Sequence, residues 1–384
     1  MSVTLASKLP KVGTTIFTIM SQLAQECGAL NLSQGFPDFA VPEALLEAVA
    51  RHLRAGHNQY APMAGVPALR EAIAAKTLEL YGASVDPGSD ITITSGATEA
   101  LTCAIMAVVR PGDEVIVFDP CYDSYEPAIE LNGGRAVHVP LDPVSFAVDW
   151  QRVADALSPR TRMLILNTPH NPSGAVWSGA DMERLTALVR ARDILILSDE
   201  VYEHIIFDGR RHESVLRHPE LAARAFVVSS FGKTFHATGW KIGYCVAPAA
   251  LSAEFRKVHQ YLTFATCTPM QYALADFLRE HPAHYRELPA FYQAKRDLFC
   301  QLVAGSRFTL VPSAGTYFQL LDYSAISDEG DVELARRLTR EAGIASIPIS
   351  VFYERPPQGQ RLLRFCFAKD DATLEKGAEI LRRL

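Results

Sequence analysis

"SSFGKTFHATGWKIGY", residues 229–244, holds two cations, Lys233 and Lys241, in a stretch without a carboxylate. Three signatures compete for it. Gly232-Lys233-Thr234 has the ending of a phosphate loop, G-x-x-x-x-G-K-[ST], but that pattern needs glycine at 227 and the chain has Val227. Ser230-x-x-Lys233 has the S-x-x-K spacing of penicillin-type serine enzymes, whose S-D-N and K-T-G companions are absent. The third makes Lys233 an amine nucleophile that forms a Schiff base with a carbonyl cofactor. A lone lysine is most often a solvated surface residue, so this reading depends on what the rest of the chain supplies.

The chain has 384 residues, enough for two domains, with 48% hydrophobic and 21% charged residues, the balance of a soluble globular protein. A net charge of −6 gives no general attraction for nucleic acid or an anionic membrane, so any anion site is local. No apolar run reaches the roughly 18 residues of a membrane span. The start, "MSVTLASKLPKVGTTIF", lacks the apolar core of a secretory signal. Seven scattered cysteines without a C-x-x-C suit a reduced, cytoplasmic protein. His281-x-x-His284 has no further ligand pattern around it, so no metal is expected.

The middle of the chain alternates short apolar runs with helical patterns. "ITIT" (91–94), "VIVF" (115–118), "MLIL" (163–166), "ILIL" (194–197), "FVVSS" (226–230) and "GYCVA" (243–247) read as strands. Strands separated by helices imply an α/β fold with a mainly parallel sheet. We place this large domain at 46–284. Beyond Pro282 come a charged helix at about 290–303, "FTLV", "TYFQLL", the helix "DVELARRLTREAG" and the strand "LLRFCFA", an α+β pattern. Residues 285–384, with 1–45 packed against them, are expected to form a small domain.

In an open parallel sheet, ligands bind at the carboxyl ends of the strands. "SGAT" (95–98) follows "ITIT" and opens a helix, where small residues and the helix dipole suit an anion. "DPCYDSY" (119–125) offers Tyr122 as a stacking plate, and "NTPHNPSG" (167–174) presents Asn171 from a proline-stiffened loop. Asp199, directly after a buried strand, needs a cationic partner. Each feature alone has an ordinary explanation as a cap, a turn or a core ring. Together they are the groups that hold pyridoxal phosphate. The phosphate takes the helix N-terminus and Lys241, the ring stacks on Tyr122, and Asp199 keeps the pyridine nitrogen protonated. Asn171 and Tyr202 reach the ring hydroxyl oxygen, and Lys233 supplies the amine.

"NLSQGFPDF" (31–39), "NQYAPMAG" (58–65), "SGATEAL" (95–101), "NTPHNPSG", "SDEVYEH" (198–204), the opening stretch and "RFCFAK" (364–369) occur in the order found in class I, fold-type I aminotransferases. The chain strongly resembles that family over nearly its whole length. Within it, "GTTIF" (13–17) and "APMAG" are similar to the branch of the bacterial methionine aminotransferases and the kynurenine–glutamine transaminases.

The resemblance implies a seven-stranded, mainly parallel sheet between helices, and a homodimer with shared active sites. It implies Lys233 as the Schiff-base lysine, with Asp199, Asn171 and Tyr202 as ring contacts. Ala97, Thr98, Ser230 and Lys241 match phosphate contacts, Lys241 standing where many relatives have arginine. Tyr60 matches a tyrosine that reaches the neighbouring subunit's phosphate. Arg364 matches the arginine that grips the substrate α-carboxylate, and Gly35 a glycine lining the substrate site.

The activity implied is pyridoxal-phosphate-dependent transamination between an amino acid and a 2-oxo acid, Lys233 carrying the Cα proton. No second arginine is evident for a dicarboxylate side chain, so an apolar or aromatic donor such as methionine, phenylalanine or kynurenine is expected. β-Elimination of cysteine conjugates is the rival on the same scaffold. A ligand-sensing regulator would carry an added DNA-binding segment, which a start roughly 30 residues before "NLSQGF" leaves little room for.

Overall fold

The computed structural model describes residues 5–384; residues 1–4, part of the 1–45 segment assigned above to a small domain, lie outside the described residues. The strands are β1 (Leu30–Asn31), β2 (Ile91–Thr94), β3 (Glu114–Asp119), β4 (Arg135–Pro140), β5 (Thr161–Asn167), β6 (Leu195–Asp199), β7 (Ala225–Ser230), β8 (Gly243–Val246), β9 (Phe318–Asp322), β10 (Ile344–Ala345), β11 (Ile347–Pro348) and β12 (Leu362–Cys366).

Seven of them form one sheet in the order β2-β8-β7-β6-β5-β3-β4. All pairings are parallel except those of β8, which runs antiparallel to β2 and β7. Strands β3 and β7 are buried along their whole length. Their unbroken β-branched and aromatic runs suit a sheet covered on both faces. One core, with Ile93, Ile116, Leu164, Ile196 and Phe235, lies on one face. A second, with Leu101, Ile105, Val117, Ile165 and Val228, lies on the other. A third core gathers Met20, Leu32, Tyr317, Leu321 and Phe365 around the antiparallel sheet β11-β12-β9.

The structure departs from the sequence reading in three places. The charged helix expected at 290–303 begins earlier, at Ala283, and runs to Val303 with Pro289 inside it. Proline removes one hydrogen bond there, but Tyr285, Leu288, Tyr292, Arg296, Phe299 and Val303 bury one continuous face, which carries the helix through. Tyr285 packs in the first core, and Leu288, Tyr292 and Phe299 in the third. "FTLV" makes only an isolated bridge, Thr309 to Asp322. β4, "RAVHVP", was not anticipated. It is an edge strand of mixed exposure ending in proline, which edges tolerate.

Behind the sheet sits a buried polar knot. Lys76 donates to Glu203 at 2.7 Å, and Tyr81, Ser229 and Tyr244 donate to the same carboxylate. Lys76 and these four donors' shared acceptor are all buried. Burial pushes the Glu203 carboxyl up, but Lys76, His204 and the hydrogen bonds from Lys76 and Ser229 together hold it well below the usual range. Lys76→Met removes the ammonium paired with Glu203. It is expected to cost about 3–5 kcal/mol, because a charge is left buried without its partner. The urea midpoint of the variant checks this; an unchanged midpoint would mean that the three hydroxyls satisfy the carboxylate alone.

Candidate active site

The parallel strands deliver their carboxyl ends to one edge of the sheet, and β8 brings its amino end there. Thr94, Gly243 and Ser230 lie side by side across β2, β8 and β7. The segments that follow or precede these ends surround a cavity of about 280 Å³. Gly35, Ala97, Thr98, Tyr122, Asn171, Asp199, Tyr202, Ser230, Lys233, Lys241 and Arg364 all line it. Tyr60, alone among the expected residues, does not. It is 84% exposed, and its ring meets Phe264 edge-on with centroids 5.3 Å apart.

One corner is built for an anion. The helix Gly96–Val108 points its N-terminus into the cavity wall, where unpaired N–H groups and the dipole favour negative charge. Lys241 stands over that end. A Cβ on Gly96 would lie 3.1 Å from its Cε and 3.2 Å from its Nζ. Gly96 has φ of 78° and Lys241 itself φ of 54°, a conformation that costs a lysine about 1 kcal/mol or more. A cation held against the positive end of a helix is repelled unless an anion sits between them. The donor set fits a phosphate there.

At the centre, Asp199 is buried and accepts from the Tyr125 hydroxyl at 2.6 Å. Burial pushes its carboxyl up to about 6. Lys233 is half-buried and donates to the Gly35 carbonyl at 3.1 Å and the Tyr317 hydroxyl oxygen at 2.9 Å. Burial, then nearby Lys241 and Arg364, bring its amine down to about 8 against the pull of Cys366 and Asp199. An amine in that range is partly neutral near pH 7 and can act as nucleophile or base. Beside them, burial raises the Tyr122 phenol to about 12 and holds the Tyr202 phenol higher still, so both remain neutral donors.

Arg364 forms the far wall. It is 1% exposed, and its guanidinium lies 3.8 Å from the centroid of the Phe318 ring, with Phe17 and Phe352 further round. It donates to Asn171 Oδ1 at 2.7 Å and to the Ser33 carbonyl at 3.1 Å. Its Nε is buried without a hydrogen-bond partner among the described residues. Burial pulls even this guanidinium down to about 10. A buried cation with an unmet donor suits a carboxylate.

Several participants were not singled out from the sequence. Tyr125 braces Asp199, and Asn167 braces the loop, donating to the Asp199 carbonyl at 2.9 Å while its Oδ1 accepts from the Asn171 amide. Ser33, Phe17, Phe318 and Tyr317 surround Arg364 and Lys233 from chain segments far from both. All six sit inside stretches quoted above, but only Tyr125 and Asn167 are polar groups at the ends of the parallel strands, and that was the available signal.

The shift at Asp199 has a consequence for stability. Its folded value near 6 lies above the ordinary 3.8, so the folded state holds the proton more tightly between those values. Stability contributed by the protonated form is therefore lost as pH rises from about 4 to 6. In the cofactor-free full chain, Asp199→Asn is expected to be more stable than wild type at pH 7, by up to about 3 kcal/mol at 1.36 kcal/mol per pH unit. That advantage should vanish near pH 4. Urea unfolding at both pH values measures it; equal stabilities at pH 7 would contradict the burial argument.

The chain matches the family described as aminotransferase class I and II over residues 28–381. It is 59% identical to the methionine aminotransferase of Escherichia coli K12 over 378 residues, covering 98% of both chains. It is 34% identical to human kynurenine–oxoglutarate transaminase 1, covering 94% of each. A crystal structure from Escherichia coli, described as identifying a methionine aminotransferase function, superposes with a TM-score of 0.97 at 58% identity over the full length of both chains. With a mostly parallel seven-stranded sheet of the fold-type I kind and these relatives, this chain belongs to the class I and II aminotransferases.

Proposed function

We propose that this aminotransferase uses pyridoxal phosphate to move the amino group of an apolar L-amino acid, methionine foremost, to a 2-oxo acid. The observation that carries the reading is the grouping of Lys233, Asp199 and Arg364 around one cavity whose anion corner is formed by the helix at Gly96 and Lys241. Lys233 would hold the cofactor covalently, Tyr122 would face its ring, and Asp199 its pyridine nitrogen. Asn171 and Tyr202 would meet its hydroxyl oxygen, and Ala97, Thr98, Ser230 and Lys241 its phosphate. When bound, the group supplies an electron sink for the pair left behind when the substrate Cα loses its proton.

The protein's own residues do the rest. Arg364 orients the α-carboxylate, and its Nε offers an unused donor. Lys233, with an amine near 8, takes the Cα proton and gives it back. Asp199, when ionised, holds the pyridine nitrogen protonated. The remaining walls include Phe17, Phe36, Leu101 and Phe318, and among the described residues the lining holds no cation besides Lys233, Lys241 and Arg364. This favours a thioether or aromatic donor over a dicarboxylate. It agrees with the named activity of the 59%-identical relative, and the aromatic walls leave room for the kynurenine-type alternative.

The same reading includes a homodimer. Tyr60, Tyr261, Leu262 and Phe264 are exposed large side chains on neighbouring segments, and Tyr60 is free to reach a partner's phosphate. It also includes the division into a large domain at 46–284 and a small one from 1–45 and 285–384, supported by separate cores on the two sheets. Cytoplasmic residence is supported by the seven free cysteines.

A half-reaction scan across the amino acids, read from loss of the cofactor absorption band, tests the activity and ranks the donors. Methionine and other apolar or aromatic donors should react, and aspartate poorly; no reaction with any donor would sink the proposal. Arg364→Lys keeps the charge and loses the planar fork. It should weaken every donor and acceptor alike, by about tenfold or more, and an effect confined to one side-chain class would assign Arg364 to specificity instead. Mixed dimers of Lys233→Ala and Tyr60→Phe chains test the sharing of sites. If Tyr60 serves its partner, one site per dimer carries neither lesion and retains cofactor as wild type does; uniformly weakened retention would place Tyr60 in its own chain's site.

A further inference from the structure

Lys233 does not stand free in the cavity. Its Nζ donates to the Tyr317 hydroxyl oxygen at 2.9 Å and to the Gly35 carbonyl at 3.1 Å, while the Tyr317 hydroxyl donates its own proton to the Gly35 carbonyl. The three groups come from chain segments separated by 84 and 198 residues. Each is held from behind. Tyr317 is fully buried, its ring edge-on to Tyr202 at 5.1 Å and against Tyr292 and Phe318. Its backbone carbonyl accepts from Phe367, and the preceding Thr316, in the left-handed region at φ of 63°, donates its N–H to the Ile205 carbonyl. Gly35 approaches because it has no side chain: a Cβ would lie 2.6 Å from Phe318 Cζ.

A neutral amine has two hydrogens and one lone pair. With both hydrogens on acceptors, the lone pair is fixed on the opposite side. We propose that Tyr317 is a catalytic residue of this site, its phenol oxygen and the Gly35 carbonyl forming a two-acceptor dock that fixes the released Lys233 amine for proton transfer. The proposal rests on the aminotransferase reading, in which substrate frees that amine. The Lys233 lone pair takes the Cα proton, and the C–H electron pair stays with the substrate and the bound cofactor's sink. The resulting ammonium keeps two hydrogens on the dock and presents the third, which it returns. Because Tyr317 already donates to Gly35, it accepts from Lys233 and does not compete for the lone pair. Without the dock, a four-carbon side chain would sample many rotamers, and proton transfer depends on holding the base within hydrogen-bond reach.

The dock also sets a sign for titration. An acceptor on an ammonium favours the charged form. The other groups facing Lys233 are the Tyr202 ring, Cys366, Lys241, Arg364 and Asp199, and none changes when Tyr317 loses its oxygen. Tyr317→Phe keeps the ring packing. In the cofactor-free full chain, the pH dependence of Lys233 acetylation, read by mass spectrometry of its peptide, should shift down by about one pH unit. In the loaded enzyme, kcat for methionine should fall by about 10–100-fold with KM changed by less than about threefold.

An unchanged labelling midpoint overturns the dock, and a kcat within twofold of wild type overturns its catalytic role. If wild type itself transaminates nothing, the aminotransferase reading fails, while the labelling result still decides the contact. Should the phenylalanine variant not fold, a 4-fluorophenylalanine at 317 serves. Its fluorine fills the place of the hydroxyl, barely accepts a hydrogen bond and cannot ionise, so the midpoint should fall in the same direction, and an unchanged midpoint there is equally fatal.

Discussion

Gly243 opens β8 pressed against the start of another element. A methyl group on it would lie 2.8 Å from the Ala97 amide nitrogen and 2.8 Å from the Ser229 carbonyl oxygen. Only a bare Cα fits between β2 and β7 at that point, and the site depends on the contact. It brings the amino end of the one antiparallel strand to the edge where the parallel strands end. The chain leaves β7 at Ser230, makes one short helical turn that carries Lys233, crosses at Gly239 and re-enters through Lys241. The eight-residue spacing of the two lysines is the length of that excursion. One cation faces the centre of the cavity and the other its anion corner.

The sheet was legible because its strands are buried on both faces and read as unbroken apolar runs; six of the seven were anticipated within about two residues. β4 escaped because an edge strand mixes an exposed arginine and a polar histidine with apolar residues, and nothing local marks it as a strand. The helix through Pro289 escaped for a related reason. Local chemistry places a boundary at a proline, and only the long-range burial of Tyr285 through Val303 overrides it.

The candidate site divides along the same line. Residues at strand ends, such as Asp199, Asn171, Thr98 and Lys233, follow from the rule that ligands gather there. Arg364 was placed only by family resemblance, since it lies within β12 and its neighbours Ser33, Phe17 and Phe318 come from three other segments. Tyr317 carried no signal at all. A tyrosine ahead of an apolar strand reads as core, and its ring does pack there. What distinguishes it is a single oxygen, whose partners lie 84 and 282 residues away.

The buried charges show what this arrangement costs and why it is kept. Asp199, Lys233 and Arg364 are all pushed toward their neutral forms, chiefly by burial. Each is less comfortable here than in water, and the cofactor-free chain is the less stable for it. The Lys76–Glu203 knot behind the sheet differs, because there the carboxylate finds a cation and three hydroxyl donors within the chain. Charges satisfied internally stiffen a fold, whereas charges left short of partners define what must come to them. In the proposed function the partner would be an anion at Lys241 and the helix end, a carboxylate at Arg364 and a protonated nitrogen at Asp199. Lys233, with no donor shown unmet, has acceptors from within, Tyr317 and Gly35. In the proposed function it is also the group that acts while detached from any ligand, which gives a dock of the protein's own atoms its purpose there.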